Sequence, residues 1–419
     1  MAGVFGFAQR FWQIVSPPTG PPKNPDALKF GILGAANIAP PAIIVPAQQH
    51  GDVIIQAVAA RNKDRAAAFA KKHGIPQVFD SYDALLADPS IDCVFIPLPN
   101  GLHYEWALKA LAAGKHVLCE KPSVSNTTEA ELLFRHPILQ NADSPVMLEA
   151  FHYRFHPAWT VFTSFLDRPN IAHAKVNMMI PKVIIGDNNI RWEYSLAGGA
   201  LMDLCYTSSV LRGVFGKEPE ECTSCEVKTQ PEPQQLCDNT FDATWKFPGG
   251  ATAEMHGTLV GSIAQMINGG LVCEVMHRPT VVADDSLPAD QEKVRTRKVR
   301  TNNFLFPTLY HRIDVEDTFV IRKKTAGGEG TGELIKTWKT KESKKAYTFG
   351  EGGFEGESQP YWLTYRYQLD AFVDRIRGRN IPTGAWVDGE DSIKTMKMID
   401  MAYGKCGLPL RPTSSFRLA

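Results

Sequence analysis

Between residues 28 and 119, short apolar runs of strand length alternate with segments of helical spacing, and this rhythm leaves few folds open. Leu28–Leu33 reads as a strand, 34–49 as a turn and helix, Val53–Ala59 as a second strand and 61–73 as a helix. Gln77–Phe79 follows as a strand, Tyr82–Ala87 as a short helix, 93–98 as a strand, 103–113 as a helix and His116–Cys119 as a strand. Strands joined through helices run parallel, because each connection must cross back over the sheet. A doubly wound parallel sheet is therefore expected. Its last expected strand runs into Glu120-Lys121-Pro122. Proline cannot donate to a ladder, and an inward lysine must find a partner or lose its charge. A spot that breaks local rules in this way points to function.

Beyond about residue 150 the pattern changes. Strand-like runs at 171–180, 222–229, 240–247, 251–260 and 271–277, some joined by turns such as Pro248-Gly249-Gly250, predict an antiparallel-rich α+β domain. Residues 323–358 read as a polar excursion with at most one strand, and helices are expected over 361–377 and 391–403. Residues 16–26 carry five prolines and read as an extended linker. Before it, Phe5, Phe7, Phe11, Trp12, Ile14 and Val15 surround the single basic Arg10. That composition favours an amphipathic arm docked on the body or on a second subunit over a membrane-surface role. The positive start and cleavage site of a signal peptide are not evident. The expected division is an arm and linker (1–26), a nucleotide-binding domain (27–150) and a substrate-binding and oligomerisation domain (151–419).

Charge excludes one class of partner. Forty-five basic and forty-five acidic residues cancel, so no broad footprint for nucleic acid is expected. No run approaches the apolar length of a membrane span. Eight scattered cysteines, several inside apolar runs, fit a reduced, cytoplasmic protein. Cys222-Thr223-Ser224-Cys225 has redox or zinc spacing, but no second pair stands at ligand distance and the run is strand-like. No metal site is expected.

The segment from Phe30 through Gly31, Gly34, Ala36, Asn37, Ile38 and Ala39 ends a strand and opens a helix. Small residues there let the backbone approach a pyrophosphate and aim helix N–H groups at it. Ala36 and Ala39 stand where glycines are usual. At the end of the second strand an NAD site would carry an acid for the ribose 2′-hydroxyl. Here the chain reads Ala59-Ala60-Arg61-Asn62-Lys63-Asp64-Arg65. Arg61 and Arg65, one helical turn apart, suit a 2′-phosphate and hence NADP; the alternative is a solvated basic helix start.

Taken together, these motifs resemble the glucose–fructose oxidoreductase/inositol dehydrogenase/rhizopine-catabolism (Gfo/Idh/MocA) family, nearest to its dihydrodiol dehydrogenase and NADP-dependent D-xylose dehydrogenase group. The resemblance spans roughly 28–412. It rests on the glycine turn, Pro99-Asn100-x-x-His103, 114–122, Glu149-Ala150-Phe151-His152-Tyr153-Arg154-Phe155-His156-Pro157, Gly198-Gly199-Ala200-Leu201-Met202-Asp203 and Gly407-Leu408-Pro409-Leu410-Arg411-Pro412. It implies an N-terminal doubly wound Rossmann domain and a C-terminal domain built on a large, mostly antiparallel open sheet. Members of this family often form homodimers through that sheet, so a homodimer is expected. Lys121 is implied as catalytic, with Lys121-Pro122 a cis candidate. The family places Tyr or His four residues after the Asp; here Tyr206 follows Asp203 by three, and Thr207 takes the fourth place.

The expected contacts follow. Gly34, Ala36, Asn37, Ile38, Arg61, Arg65, Pro99, Asn100, His103, Glu120 and Lys121 bind the cofactor, His103 as a buttress of the nicotinamide pocket. Lys121 polarises the reacting oxygen, Tyr206 is acid/base with its tyrosinate favoured by the nearby cation, and Asp203 orients substrate hydroxyls. Arg154 and His156 are candidates for substrate contact, with a histidine packed under the cofactor as the alternative. Trp159, Trp192, Trp245 and Trp362 either stack on substrate or fill the core. The leading reading is an NADP-dependent dehydrogenase acting on a sugar or cyclic trans-dihydrodiol. A dinucleotide-binding sensor without turnover, or a tailoring enzyme whose larger, apolar substrate is lined by 178–195, are the alternatives.

Overall fold

The computed structural model describes residues 2–324 and 332–418, with side chains described from Phe5. Six strands form the first sheet: β1 (Leu28–Leu33), β2 (Val53–Ala59), β3 (Gln77–Phe79), β4 (Cys93–Ile96), β5 (His116–Cys119) and β6 (Met147–Glu149). All pairs are parallel, in the order β3-β2-β1-β4-β5-β6. The order reverses direction beside β1, and in such sheets the crevice at the strand C-termini is where ligands bind. The β4 strand, Cys93-Val94-Phe95-Ile96, is fully buried, as a parallel strand covered on both faces must be.

The first connection departs from the expected helix. Residues Pro40–Ile44 form a π-helical turn followed by a short helix, Val45–Gln48. Pro46 has no N–H and its ring would crowd the carbonyl four residues back; the wider turn, with Val45 N–H donating to Pro40 O, accommodates it.

The second sheet contains β7 (Ile171–Pro181), β8 (Glu221–Thr229), β9 (Asp238–Phe247), β10 (Ala251–Gly261), β11 (Leu271–His277), β12 (Thr280–Val282), β13 (Gln291–Asn302), β14 (Arg312–Lys323) and β15 (Leu334–Lys344). Its path is β15-β14-β13-β11-β7-β10-β9-β8, with β12 beside β13. Every pair is antiparallel except β7 with β10. The long β13 and β14 strands escape a reading by hydrophobic alternation because charges occupy both faces. Cross-strand pairs such as Arg297–Asp317 (2.8 Å) and Arg322–Glu292 (2.7 Å) hold them instead. Part of the 323–358 excursion, 325–331, lies outside the described residues.

One buried cluster runs continuously through both sheets. The Thr364–Ile376 helix returns from the second half of the chain to pack on the 40–48 segment, with Phe372 edge-on to Phe30 of β1. The Gly389–Cys406 helix lies against both the Thr127–Phe134 helix and β8. The N-terminal Ala2–Val15 helix docks through its polar residue: Arg10 donates to Thr308 O (2.9 Å) and Leu309 O (2.8 Å) and lies over the Tyr347 ring. Its Phe5, Phe11 and Trp12 face solvent. Among the described residues no helix is long and apolar enough to cross a membrane.

Candidate active site

A cavity of about 690 Å³ opens at the C-terminal ends of β1, β2, β4 and β5 and is lined on the other side by residues of the second half of the chain, Met178 and Ile180 of the second sheet among them. Gly34, at φ +117°, makes the turn after β1; a side chain there would be strained and would press on Leu98. Gly34, Ala35, Ala36, Asn37 and Ile38 line the cavity. Among the described residues the Asn37 and Ile38 amides have no protein acceptor. Pro40 and Pro41 contribute no amides to the following turn, so the Asn37 and Ile38 N–H groups are among those this turn offers an anion. Ala36 is small enough to leave the approach open.

Arg61 and Arg65 stand at the same end. Asn62 caps the Lys63–His73 helix by accepting from Arg65 N–H (2.8 Å), and Arg65 Nη2 donates to Ala35 O (3.1 Å). The guanidinium is thus tied to the glycine turn. Among the described residues no carboxylate lines this end. The surroundings suit a dinucleotide's phosphates: free main-chain donors, a glycine turn without a Cβ and two arginines.

Pro99, Asn100 and His103 form the middle wall. Asn100 Nδ2 donates to Ala197 O (3.1 Å), joining the two halves of the chain. His103 is wedged 2.7 Å from both Pro122 O and Leu98 O; burial lowers its pKa to about 4, and the neutral ring donates to one of them. Glu120, after β5, is buried and pushed up to about 7, with Oε1 unpartnered.

Lys121 follows, and its bond to Pro122 is cis. Its Nζ donates to Asp203 O (2.7 Å) and Asp203 Oδ1 (3.2 Å). Arg191 Nε donates to Asp203 Oδ2 (2.8 Å). Despite its burial, the two cations hold the Asp203 carboxyl well below the usual carboxylate range, Arg191 contributing most. Asp203 in turn keeps Lys121 charged against the desolvation that opposes it. Arg191 was not foreseen; the distance in sequence conceals it.

The shifted tyrosine reaches the cavity. The Ala200–Asp203 helix gives way to Tyr206–Phe215 through two tight turns, Cys205 N–H to Met202 O (3.4 Å) and Thr207 N–H to Leu204 O (2.9 Å). These three-residue turns take up the missing residue. Tyr206 lines the cavity, whereas Thr207 is buried with its hydroxyl donating to Leu204 O (3.0 Å). Lys121 Nζ lies 4.9 Å from the Tyr206 ring centroid. The expected tyrosinate is not what the surroundings favour. Burial foremost, with Tyr365 and Glu120 nearby, raises the phenol well above its ordinary pKa, while Lys121 lies over the ring and pairs with Asp203.

Far contacts fix this corner. Arg411 and Asp238, both fully buried, pair at 2.9 Å; Tyr403 OH donates to the same Asp238 oxygen (2.9 Å) and Arg411 Nε to Gly198 O (2.7 Å). Asp238 Oδ2 accepts from Leu201 N–H (2.7 Å), at the start of the helix that ends in Asp203. Gly199, at φ +129°, lies against this pair, where a Cβ would collide with Asp238 and Arg411. The terminal Gly407-to-Pro412 run thus acts by holding the 198–203 turn.

Two expected substrate contacts are corrected. Arg154 turns to Asp391, and His156 is completely buried, its Nδ1 accepting from Ala158 N–H (3.2 Å) to cap the Pro157–Ser164 helix. Neither lines the cavity. A nearby carboxylate and a helix start claim them first. The 178–195 segment divides: Met178, Ile180 and 188–191 line the cavity, while Val183 and Ile184 point to solvent. Trp192 and Trp245 are core residues, and none of the four tryptophans lines the cavity. Leu305, Phe306 and Tyr365 complete the walls and carry no sequence signal.

Comparison with known proteins agrees with this construction. Residues 28–138 match the model described as oxidoreductase family, NAD-binding Rossmann fold, and 166–268 match the GFO/IDH/MocA C-terminal domain. The chain belongs to the Gfo/Idh/MocA oxidoreductase family. A D-xylose 1-dehydrogenase (NADP(+)) of Haloferax volcanii is 37% identical over 238 residues, covering 55% of this chain and 69% of the relative. Trans-1,2-dihydrobenzene-1,2-diol dehydrogenase of Homo sapiens is 30% identical over 251 residues, 58% of this chain and 70% of the relative. Among solved structures, a 3-ketoreductase from Actinomadura kijaniata in complex with NADP and TDP-benzene superposes with a TM-score of 0.64 at 20% identity, covering 90% of this chain and 98% of that one. The last likeness is one of fold. As a Gfo/Idh/MocA protein, the chain carries the family's NAD(P)-binding Rossmann domain.

Proposed function

We propose that the protein is an NADP-dependent oxidoreductase that moves a hydride between the nicotinamide and a hydroxyl-bearing carbon of a sugar or a cyclic trans-dihydrodiol. The observation that carries this reading is one cavity with Arg61 and Arg65 at one end and Lys121, Asp203 and Tyr206 together at the other. Residues 27–150 then hold the cofactor, and 151–419 supply the substrate side. The similarity to an NADP-named D-xylose dehydrogenase and to dihydrodiol dehydrogenases supports both halves.

A bound nicotinamide dinucleotide supplies hydride chemistry. The chain's own residues do the rest. The Asn37 and Ile38 amides and the two arginines bind phosphate oxygens. The Lys121 ammonium, fixed by Asp203, stabilises negative charge on the reacting oxygen. Tyr206 carries the proton, worth about 10²- to 10⁴-fold. Held protonated by its burial, it donates to an oxygen that gains charge, so the resting site is set for carbonyl reduction; alcohol oxidation needs the phenol to lose its proton first. Asp203 serves first as the partner that orients Lys121.

The apolar walls of Met178, Ile180, Ile190, Leu305 and Phe306 favour a second reading, a larger and more apolar metabolite than a free aldose. Lys121 and Tyr206 serve that substrate equally.

Lys121→Met keeps most of the side chain's volume and removes the charge. Turnover of NADP⁺ with the substrate is expected to disappear while NADPH still binds, as followed by its fluorescence. Retained turnover would sink the assignment.

A further inference from the structure

The N-terminal helix touches the loop that forms one wall of the cavity. Residues 303–311 join β13 to β14 in irregular turns, and Leu305 and Phe306 from this loop line the cavity. Such a loop must find donors for its carbonyls outside any ladder. Here five successive carbonyls each take a side-chain N–H. Asn303 Nδ2 donates to Phe306 O (2.7 Å) and Tyr310 O (2.8 Å). His311 Nε2 accepts the Ala346 N–H (2.9 Å), so the ring proton sits on Nδ1 and is donated to Pro307 O (2.8 Å). Arg10 supplies the other two bonds, Nε to Thr308 O (2.9 Å) and Nη2 to Leu309 O (2.8 Å).

Asn303 and His311 belong to the loop itself, whereas Arg10 stands 298 positions from Thr308 in the chain. Its guanidinium also lies 3.8 Å from the centroid of the Tyr347 ring, which is edge-on to His311 at 4.5 Å. Two neighbouring carbonyls suit the fixed fork of a guanidinium, which an ammonium lacks. Phe306 comes two residues before the first carbonyl that Arg10 holds. Its ring stacks on His152 (5.8 Å, 23°), and His152 packs on Tyr365 (4.1 Å) and Tyr206 (5.5 Å). His152 is completely buried and neither ring nitrogen has a hydrogen-bond partner. With no bond to fix the imidazole, the surrounding rings alone hold it, and a shift of Phe306 passes through it to Tyr206.

We propose that Arg10 is a positioning residue for the substrate: the N-terminal helix straps the 303–311 loop, and the loop sets Phe306 and the wall beside Tyr206. This rests on the reading of that end of the cavity as the substrate end. The Ala2–Val15 helix has about the length at which an isolated helix is marginal in water, so helix and loop order each other. The strap acts on the wall formed by Leu305 and Phe306, while the phosphate end is built on the glycine turn and Arg65. Loss of the strap therefore changes how substrate sits and leaves cofactor binding as it was.

The test compares the full chain with its Arg10→Met variant, which keeps an unbranched side chain and removes the donors. Hydrogen exchange read by mass spectrometry is expected to quicken in peptides covering 303–311 and to stay unchanged over 34–38. KM for D-xylose or a trans-dihydrodiol, whichever the unmodified chain turns over, is expected to rise roughly tenfold, as a displaced wall would cause. The fall in kcat is smaller, and KM for NADP⁺ does not change. Arg10→Lys, which keeps the charge without the fork, recovers part of the loss in KM. Unchanged exchange over 303–311 would overturn the strap. Faster exchange with an unchanged substrate KM, or an equal rise in KM for NADP⁺, would overturn its role at the substrate wall. If the unmodified chain turns over none of these substrates, the functional reading fails, and the exchange comparison still decides the strap.

Discussion

The two ends of the cavity are built in different ways. At the cofactor end, the walls come from successive strand ends, 34–38, 60–62 and 97–100, with 120–121 beyond them. The parallel sheet brings these together through topology alone. At the proposed substrate end, Met178, Arg191, Asp203, Tyr206, Phe306 and Tyr365 come from separate segments of the second half of the chain. Each needs its own support, and the 198–203 turn draws on Asp238, Tyr403 and Arg411. One end is therefore robust and readable from local sequence, and the other depends on distant anchors.

Four changes sharpen or break that contrast. Tyr206→Phe removes the proposed proton carrier alone; kcat is expected to fall by about 10²- to 10⁴-fold, with NADPH affinity unchanged by fluorescence titration. A small loss of kcat would mean that another group moves the proton. Arg411→Met strands the buried Asp238 charge, and denaturant unfolding should show a loss of about 3–5 kcal/mol. An unchanged midpoint would show that the substrate end does not rest on this anchor.

Arg65→Ala acts at the other end. Losing one charge-assisted contact worth about 1.5–3 kcal/mol should raise KM for NADP⁺ by roughly tenfold or more and leave KM for NAD⁺ little changed. An equal rise for both would mean that Arg65 only stiffens the glycine turn.

The fourth effect is on pH. Glu120 is raised from 4.5 to about 7 by burial, so the folded chain holds its proton more tightly than the unfolded one. Its contribution to stability is full below about pH 4.5 and is lost as pH rises through 7. Glu120→Gln should flatten the fall in thermal midpoint between pH 5 and pH 8; an unaltered slope would place the titration elsewhere.

Much of this was legible in the chain. The alternation over 28–119 gave the parallel sheet, because strand and helix periods are local properties. Gly34, Lys121 and Asp203 stood out through local motifs. The Tyr206 spacing did not resolve by counting, since three-residue turns at 202–207 decide which side chain faces inward. Arg154 and His156 misled because a charged residue in a motif does not reveal the carboxylate or helix start that claims it. The β13 and β14 strands were hidden because cross-strand ion pairs replace an apolar face. Arg191 lies in the 178–195 segment read only as an apolar lining, so its pairing with Asp203 had no signal, and Tyr365 is joined to the site by the fold alone.

The most direct measurement is the initial rate of NADP⁺ reduction, followed by absorbance across D-xylose, D-glucose and a trans-dihydrodiol, with NAD⁺ in parallel. Turnover of one of these substrates, faster with NADP⁺ than with NAD⁺, is the predicted result. Tight NADPH binding with no turnover of any of them would contradict it and make the cavity a dinucleotide sensor or the site of a different reaction.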